Sequence, residues 1–148
     1  KDGKTTGIDP LLLLAVARQE SSFKPHIVSS ADARGLMQVL PSTARWIAKT
    51  DPSVGSDAPE RLENPETSLL LGAAYLRSMR GKFDGNLVFV LAAYNAGPGN
   101  LSKWRKAHPA KDMDRFIESI PFEETRTYVK KVLGNYAAYH SLYRLAAD

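Results

Sequence analysis

The 148-residue sequence predicts a single, mainly α-helical domain carrying at most a very small β-sheet. Three observations predict it. Asp9-Pro10 and Asn64-Pro65 each open an apolar stretch, and this pairing suits a helix start. The Asx side chain caps free backbone N–H groups, and proline tolerates the first helical position. Leu69, Ala73, Leu76 and Met79 recur at helical spacing. Valine, isoleucine and threonine are scattered and alternating runs are scarce, so any sheet is confined to the loop after the first helix.

The elements follow in order. The first helix runs from Asp9-Pro10 to about Phe23, limited by Pro25, because a residue before proline avoids the helical region. A polar loop spans His26 to Gly35. Pro41 to Lys49 forms a second helix, and Thr50 to Glu63, rich in Asp, Pro, Ser and Gly, reads as a surface loop. The helix opened by Asn64-Pro65 ends at Gly81 to Gly85. Asn86 to Asn95 is a short, very apolar helix stopped by Gly97-Pro98-Gly99. Leu101 to Ala107 and Asp112 to Ser119 are helical, and a last long helix runs from Pro121 to about Tyr143.

Composition excludes several classes. Apolar residues make up 43% and charged residues 24%, ordinary for a folded chain. There is no cysteine, hence no disulfide framework and no Cys-based metal site. His26, His108 and His140 lack metal-ligand spacing, so neither metal nor cofactor is expected. The net charge of +4 is dispersed, with no basic stripe along a helix, which argues against a nucleic-acid partner. The longest apolar run, Leu11 to Ala17, is far shorter than the roughly 20 residues of a membrane-spanning helix. The chain opens at Lys1 without an initiator methionine and is expected to be a piece of a longer protein with flanking domains.

Glu20 is the most informative residue. At about 100° per residue it falls opposite Arg18 and Ser22 and shares its face with Leu13, Val16 and Ala17. A carboxyl group among apolar side chains favours its neutral form, and one kept protonated near neutral pH is a general acid. The same placement equally suits a buried structural ion pair or a solvated helix end.

The surroundings of Glu20 carry a resemblance. Glu20-Ser21-Ser22-Phe23, Gly35-Leu36-Met37-Gln38, Ala93-Tyr94-Asn95-Ala96-Gly97 and Glu124-Thr125-Arg126-Thr127-Tyr128-Val129 follow one another in order. Pro-Ser-Thr-Ala and Asn-Pro-Glu-Thr segments connect them. This pattern, spanning roughly residues 8 to 143, resembles the soluble lytic murein transglycosylases, in particular the catalytic domain of the large, multidomain periplasmic type. The resemblance implies a lysozyme-like α+β fold, mostly helical, with a sugar-binding groove. It implies cleavage of the β-1,4 bond between N-acetylmuramic acid and N-acetylglucosamine in peptidoglycan, without water, in the bacterial cell envelope. Glu20 is then the single catalytic residue, acting as acid and then as base.

The same resemblance assigns the groove. Ser29 corresponds to a serine near the catalytic acid and the substrate's N-acetyl group; taken alone it is a turn-capping serine. Met37 and Gln38 correspond to a groove-lining segment, although Met37 equally suits core packing. An amide can both donate to and accept from sugar hydroxyls. The family often carries methionine where this chain has Leu40, which keeps apolar packing but not sulfur. Tyr94 is expected to reach Glu20 or the substrate. Asn95 either joins it or caps the helix before Gly97. Glu124 corresponds to an acid across the groove, Tyr128 is a groove-lining candidate, and Arg126 is expected to pair with an acid such as Glu124. A goose-type lysozyme on the same fold, adding water, and a non-enzymatic glycan-binding module with an inert Glu20 are the competing readings.

Overall fold

The structure, a computed structural model, describes residues 7–109 and 111–147, with side chains up to residue 145. Its helices are α1 (Pro10–Ser21), α2 (Pro41–Thr50), α3 (Pro65–Lys82), α4 (Leu87–Ala96), α5 (Pro98–Ala107), α6 (Met113–Ser119) and α7 (Glu123–Ala147). Asx caps start two of the helices as expected, and Asn86 caps a third. The Asp9 carboxylate accepts from Leu11 N at 2.9 Å, and the Asn64 amide oxygen accepts from Thr67 N at 3.0 Å. The Asn86 amide oxygen accepts from Phe89 N at 3.1 Å. Each satisfies an amide that has no partner within the helix.

Several boundaries differ from the sequence expectation. α1 stops at Ser21 rather than Phe23, because Ser22 and Phe23 both take left-handed backbone (φ 52° and 63°). The Ser22 N–H still donates to the Arg18 carbonyl, closing the helix. Gly97 alone breaks α4 from α5; Pro98 does not stop the chain but opens α5 at its first turn. α7 begins at Glu123, two residues after Pro121. The segment from Thr50 to Glu63 is more than a surface loop. It holds two 3-10 turns, Pro52–Val54 and Ala58–Glu60, and buries Val54, Ala58 and Leu62. Among the described residues, strand pairing is limited to two isolated antiparallel bridges, Val28 with Arg34 and Arg34 with Val39. They lie in the loop after α1, as expected.

α4 is the centre of the molecule. Every residue from Val88 to Ala93 is buried, which its apolarity on all sides requires. It packs against α3, α5 and α7, and α7 packs in turn along α1. Leu13 and Val16 from α1, Leu91 from α4, and Val129 and Val132 from α7 meet in this core. The start of α1 is pinned to α7 by Tyr136, whose hydroxyl donates to Asp9 Oδ2 at 2.6 Å. The three helices α1, α4 and α7 thus converge at the C-terminal end of α1, where Glu20 lies. No helix among the described residues is long and apolar enough to cross a membrane.

Candidate active site

Glu20 occupies the last turn of α1. Leu13, Val16 and Ala17, its companions on the helical wheel, are buried, while Arg18 and Ser22 are exposed. Glu20 itself is half-buried. Loss of hydration pushes its carboxyl up to about 8, from an ordinary value of 4.5. A Tyr128 hydroxyl nearby pulls the other way, and the negative charge of Glu124 adds to the rise. The group is therefore neutral at neutral pH, and no cation is among the groups that act on it. Among the described residues no cation lies within ion-pair distance of Glu20, so nothing there favours the ion-pair reading.

α7 supplies two of these neighbours from one face, since Glu124 and Tyr128 are four residues apart. Glu124 is exposed and Tyr128 is only 4% exposed. The Tyr128 hydroxyl is buried and completes no hydrogen bond of good geometry among the described residues. It is nevertheless close enough to Glu20 for each group to shift the other: burial first, then the Glu20 charge, holds Tyr128 well above the usual phenol range. A buried hydroxyl left unpaired costs stability, so its aim at Glu20 is its most economical explanation.

α4 supplies Tyr94. Burial, then the Glu20 charge, raises its proton affinity as well, which sets Tyr94 beside the acid. Its hydroxyl donates to the Met37 carbonyl at 2.8 Å. Tyr94 therefore ties α4 to the loop after α1, and its proton is committed to that backbone carbonyl. Asn95 is neither the helix cap nor turned freely to the cleft. Gly97 is the cap (φ 92°), and the Asn95 amide oxygen accepts from the buried Thr125 hydroxyl at 2.7 Å, joining α4 to α7.

The loop contributes differently from expectation. Met37 is 0% exposed, so its side chain is core and does not line a groove. It fills the space over Gly72, where a Cβ would come within 2.5 Å of it. Its N–H donates to the Ser68 hydroxyl at 3.0 Å. Met37→Ala is expected to cost about 2–5 kcal/mol in chemical denaturation, the usual loss for a fully buried methionine. Gln38 has left-handed backbone (φ 51°), and its Nε2 donates to the carbonyls of Ile27 and Gly35 at 2.9 and 3.0 Å. Both amide hydrogens are used within the loop, which leaves Oε1 as its acceptor. Ser29 caps its turn, its Oγ accepting from the N–H groups of Ala31 and Ala33 at 3.2 and 3.0 Å. The Ser29 hydroxyl hydrogen has no acceptor among the described residues. Arg126 does not pair with Glu124; its guanidinium donates to the Ile120 carbonyl at the α6–α7 turn.

Tyr75 on α3 went unnoticed in the sequence. Its ring lies against that of Tyr94, centroids 5.3 Å apart at 56°. Only a long-range contact reveals it, because Tyr75 sits at the edge of the α3 apolar stripe. Of the histidines, His26 meets Glu63 at 3.1 Å and His140 meets Asp9 at 3.3 Å, both outside this cleft. Among the described residues no group of His, Asp and Glu could hold a metal ion.

Comparison with known proteins gives the chain its family and agrees with its fold. The family described as Transglycosylase SLT domain matches residues 1–117, and the Soluble lytic transglycosylase helical domain matches residues 119–147. The chain is 44% identical over 128 residues to the soluble lytic murein transglycosylase of Escherichia coli K12, covering 86% of this chain and 20% of that protein. The crystal structure of the 70-kDa soluble lytic transglycosylase of E. coli superposes with a TM-score of 0.89 at 39% identity, covering 95% of this chain and 24% of that one. An inactive variant of lytic transglycosylase Slt from Pseudomonas aeruginosa, in which glutamine replaces a glutamate, gives 0.88 at 37% identity, covering 96% and 23%. The chain spans about a fifth of the length of the soluble lytic murein transglycosylases it matches. With matching motifs, matching fold and a family match over most of its length, the chain belongs to the transglycosylase SLT domain family.

Proposed function

We propose that this chain cleaves peptidoglycan strands as a lytic transglycosylase, with Glu20 as the sole acid and base. The observation that carries the reading is the half-buried carboxyl of Glu20 at the end of α1, beside Tyr94 and Tyr128, where lost hydration favours its neutral form. The substrate is the β-1,4 bond between N-acetylmuramic acid and N-acetylglucosamine. Glu20 donates its proton to the glycosidic oxygen as the bond to the anomeric carbon breaks. The substrate's own N-acetyl oxygen stabilises the cation left behind, a task that a second carboxylate performs in most glycosidases. The Glu20 carboxylate then accepts the proton of the C6 hydroxyl, whose oxygen closes on the anomeric carbon as a 1,6-anhydro ring. The proton is returned and no water is consumed. A proton affinity near working pH serves both half-steps.

Ser29 directs its free hydroxyl hydrogen at the N-acetyl group in this reading, and Gln38 Oε1 accepts from a sugar hydroxyl. Tyr128 and Glu124 tune Glu20. Tyr94 holds the loop in place, and Asn95 acts on α7 rather than on the sugar. The relatives named soluble lytic murein transglycosylases support the substrate class. The P. aeruginosa protein is inactive when glutamine replaces one of its glutamates, which supports a glutamate as the catalytic group. The setting is the bacterial cell envelope, on the periplasmic side, within a longer chain whose other domains flank this one.

The pH profile separates the tuning roles. Activity is expected to fall as pH rises through about 8, where Glu20 loses its proton. Tyr128→Phe removes an interaction that favours the carboxylate, so the alkaline limb moves up. Glu124→Gln removes a like charge that favours the neutral acid, so the limb moves down. Limbs that do not move in these opposite senses contradict the tuning. The reaction itself is tested by mass spectrometry of fragments released from purified peptidoglycan. Ends of 1,6-anhydro-muramic type, one water lighter than hydrolysis products, are expected. Hydrated ends would instead make the protein a hydrolase in which the exposed Glu124 carboxylate, near Glu20, activates water.

A further inference from the structure

We infer that a notch between α2, α3 and the start of α5 holds a distal saccharide of the same glycan strand, with Trp46 as its stacking platform. The inference rests on the glycan-cleaving reading of the Glu20 cleft. Trp46 lies outside every motif that carries the family likeness, and it is 48% exposed. An indole left in water on a helix of otherwise ordinary amphipathic pattern invites a ligand face.

The notch encloses about 320 Å³ and is walled by Trp46, Tyr75, Met79 and Pro98. Thr43 and Ser78 place hydroxyls on its rim, and Lys82 is its single charged residue. Apolar walls with a few hydroxyls and no carboxylate suit a neutral ring that has one C–H face and a hydroxylated edge. An N-acetylated sugar has that chemistry: its ring face covers the indole and its methyl group enters the apolar corner.

Continuity with the cleft selects the strand as the occupant. Tyr75 lines the notch and lies against Tyr94, whose proton affinity responds to Glu20. Tyr94 is bonded through its hydroxyl to the Met37 carbonyl, next to Gln38. The notch is therefore linked to the neighbourhood of the acid through the Tyr75–Tyr94 ring contact. A peptide substituent carrying a carboxylate is the rival occupant, and it would draw on Lys82 rather than on Trp46.

The protein offers its own probe. It has two tryptophans, and the other, Trp104, is 6% exposed with its ring against Phe122. Changes in emission on ligand binding therefore report mainly on Trp46. The experiment titrates the Glu20→Gln chain, which does not turn over, with N-acetylglucosamine oligomers from the disaccharide to the hexasaccharide. The hexasaccharide is expected to shift the emission to the blue and to protect it from acrylamide. By calorimetry, Trp46→Ala in the same background should weaken hexasaccharide binding roughly tenfold, the scale of one lost aromatic contact, and leave disaccharide binding unchanged. Trp46→Phe, which keeps a ring, should fall between, with melting curves confirming both folds. Equal hexasaccharide affinity in Trp46→Ala, or an unchanged emission on saturation, overturns the inference. So does loss of binding to peptide-bearing strands in Lys82→Met when Trp46→Ala has no effect. Failure of the glycan-cleaving reading would show separately, as the absence of any fragments released from peptidoglycan by the unsubstituted chain.

Discussion

Glu20→Gln is expected to lower turnover on peptidoglycan by about 10⁴-fold, the upper end for a general acid–base group, because in the proposed reaction one carboxyl performs both half-reactions. The fold should survive and become more stable. Glu20 is neutral in the folded chain up to about 8, whereas an exposed glutamate in the unfolded chain ionises near 4.5. Its raised value therefore costs nothing below the unfolded value. The cost grows as pH rises from about 4.5 to about 8 and is constant above that. Glutamine fills the same space and never carries the charge. The substitution should then raise the melting temperature at pH 8 and leave it nearly unchanged at pH 4. Thermal unfolding at the two pH values, together with a turnover assay, checks both halves. A variant that unfolds, or one that turns over at the parent rate, contradicts the role assigned to Glu20.

Gly35→Ala should be the most disruptive substitution outside the core. Gly35 has left-handed backbone (φ 81°), and a Cβ there would stand 2.1 Å from the Leu62 carbonyl oxygen and 3.0 Å from the Ser68 hydroxyl. The first obstacle is backbone, which a rotamer change cannot relieve. The loop would have to leave the segment before α3. In doing so it would break the Gly35 N–H bond to the Ile27 carbonyl and the Gln38 staple to both carbonyls. The expected loss is about 3 kcal/mol or more, with activity lost alongside because the same loop carries Ser29 and Met37. A denaturation midpoint unchanged from the parent would mean that the loop does not depend on this close approach.

The helices and the face on which Glu20 lies were legible because their signals are local. Asp9-Pro10 and Asn64-Pro65 mark their helix starts by hydrogen-bond chemistry within a few residues. The face of Glu20 follows from helical period alone, and the burial of Leu13, Val16 and Ala17 bears it out. Val54, Ala58 and Leu62 recur every four residues and could have signalled that the segment between α2 and α3 is packed, but its Pro, Asp and Gly content masks them. Loop side chains were not legible. The family motif sets Met37 and Gln38 side by side, but nothing local tells that Gly72 opens a seat for Met37 or that Gln38 spends its amide hydrogens on the loop. Tyr75 and the Asn95–Thr125 bond join residues far apart in sequence, and no periodicity encodes such a contact.

As the proposed acid, Glu20 must hold its proton at neutral pH in the folded chain. Carbon-detected NMR titration of glutamate-labelled protein, with Glu20→Gln assigning the resonance, measures it directly. The account predicts one side-chain carboxyl that titrates near 8 and disappears in the variant. A Glu20 resonance that titrates with the other glutamates near 4.5 would contradict it.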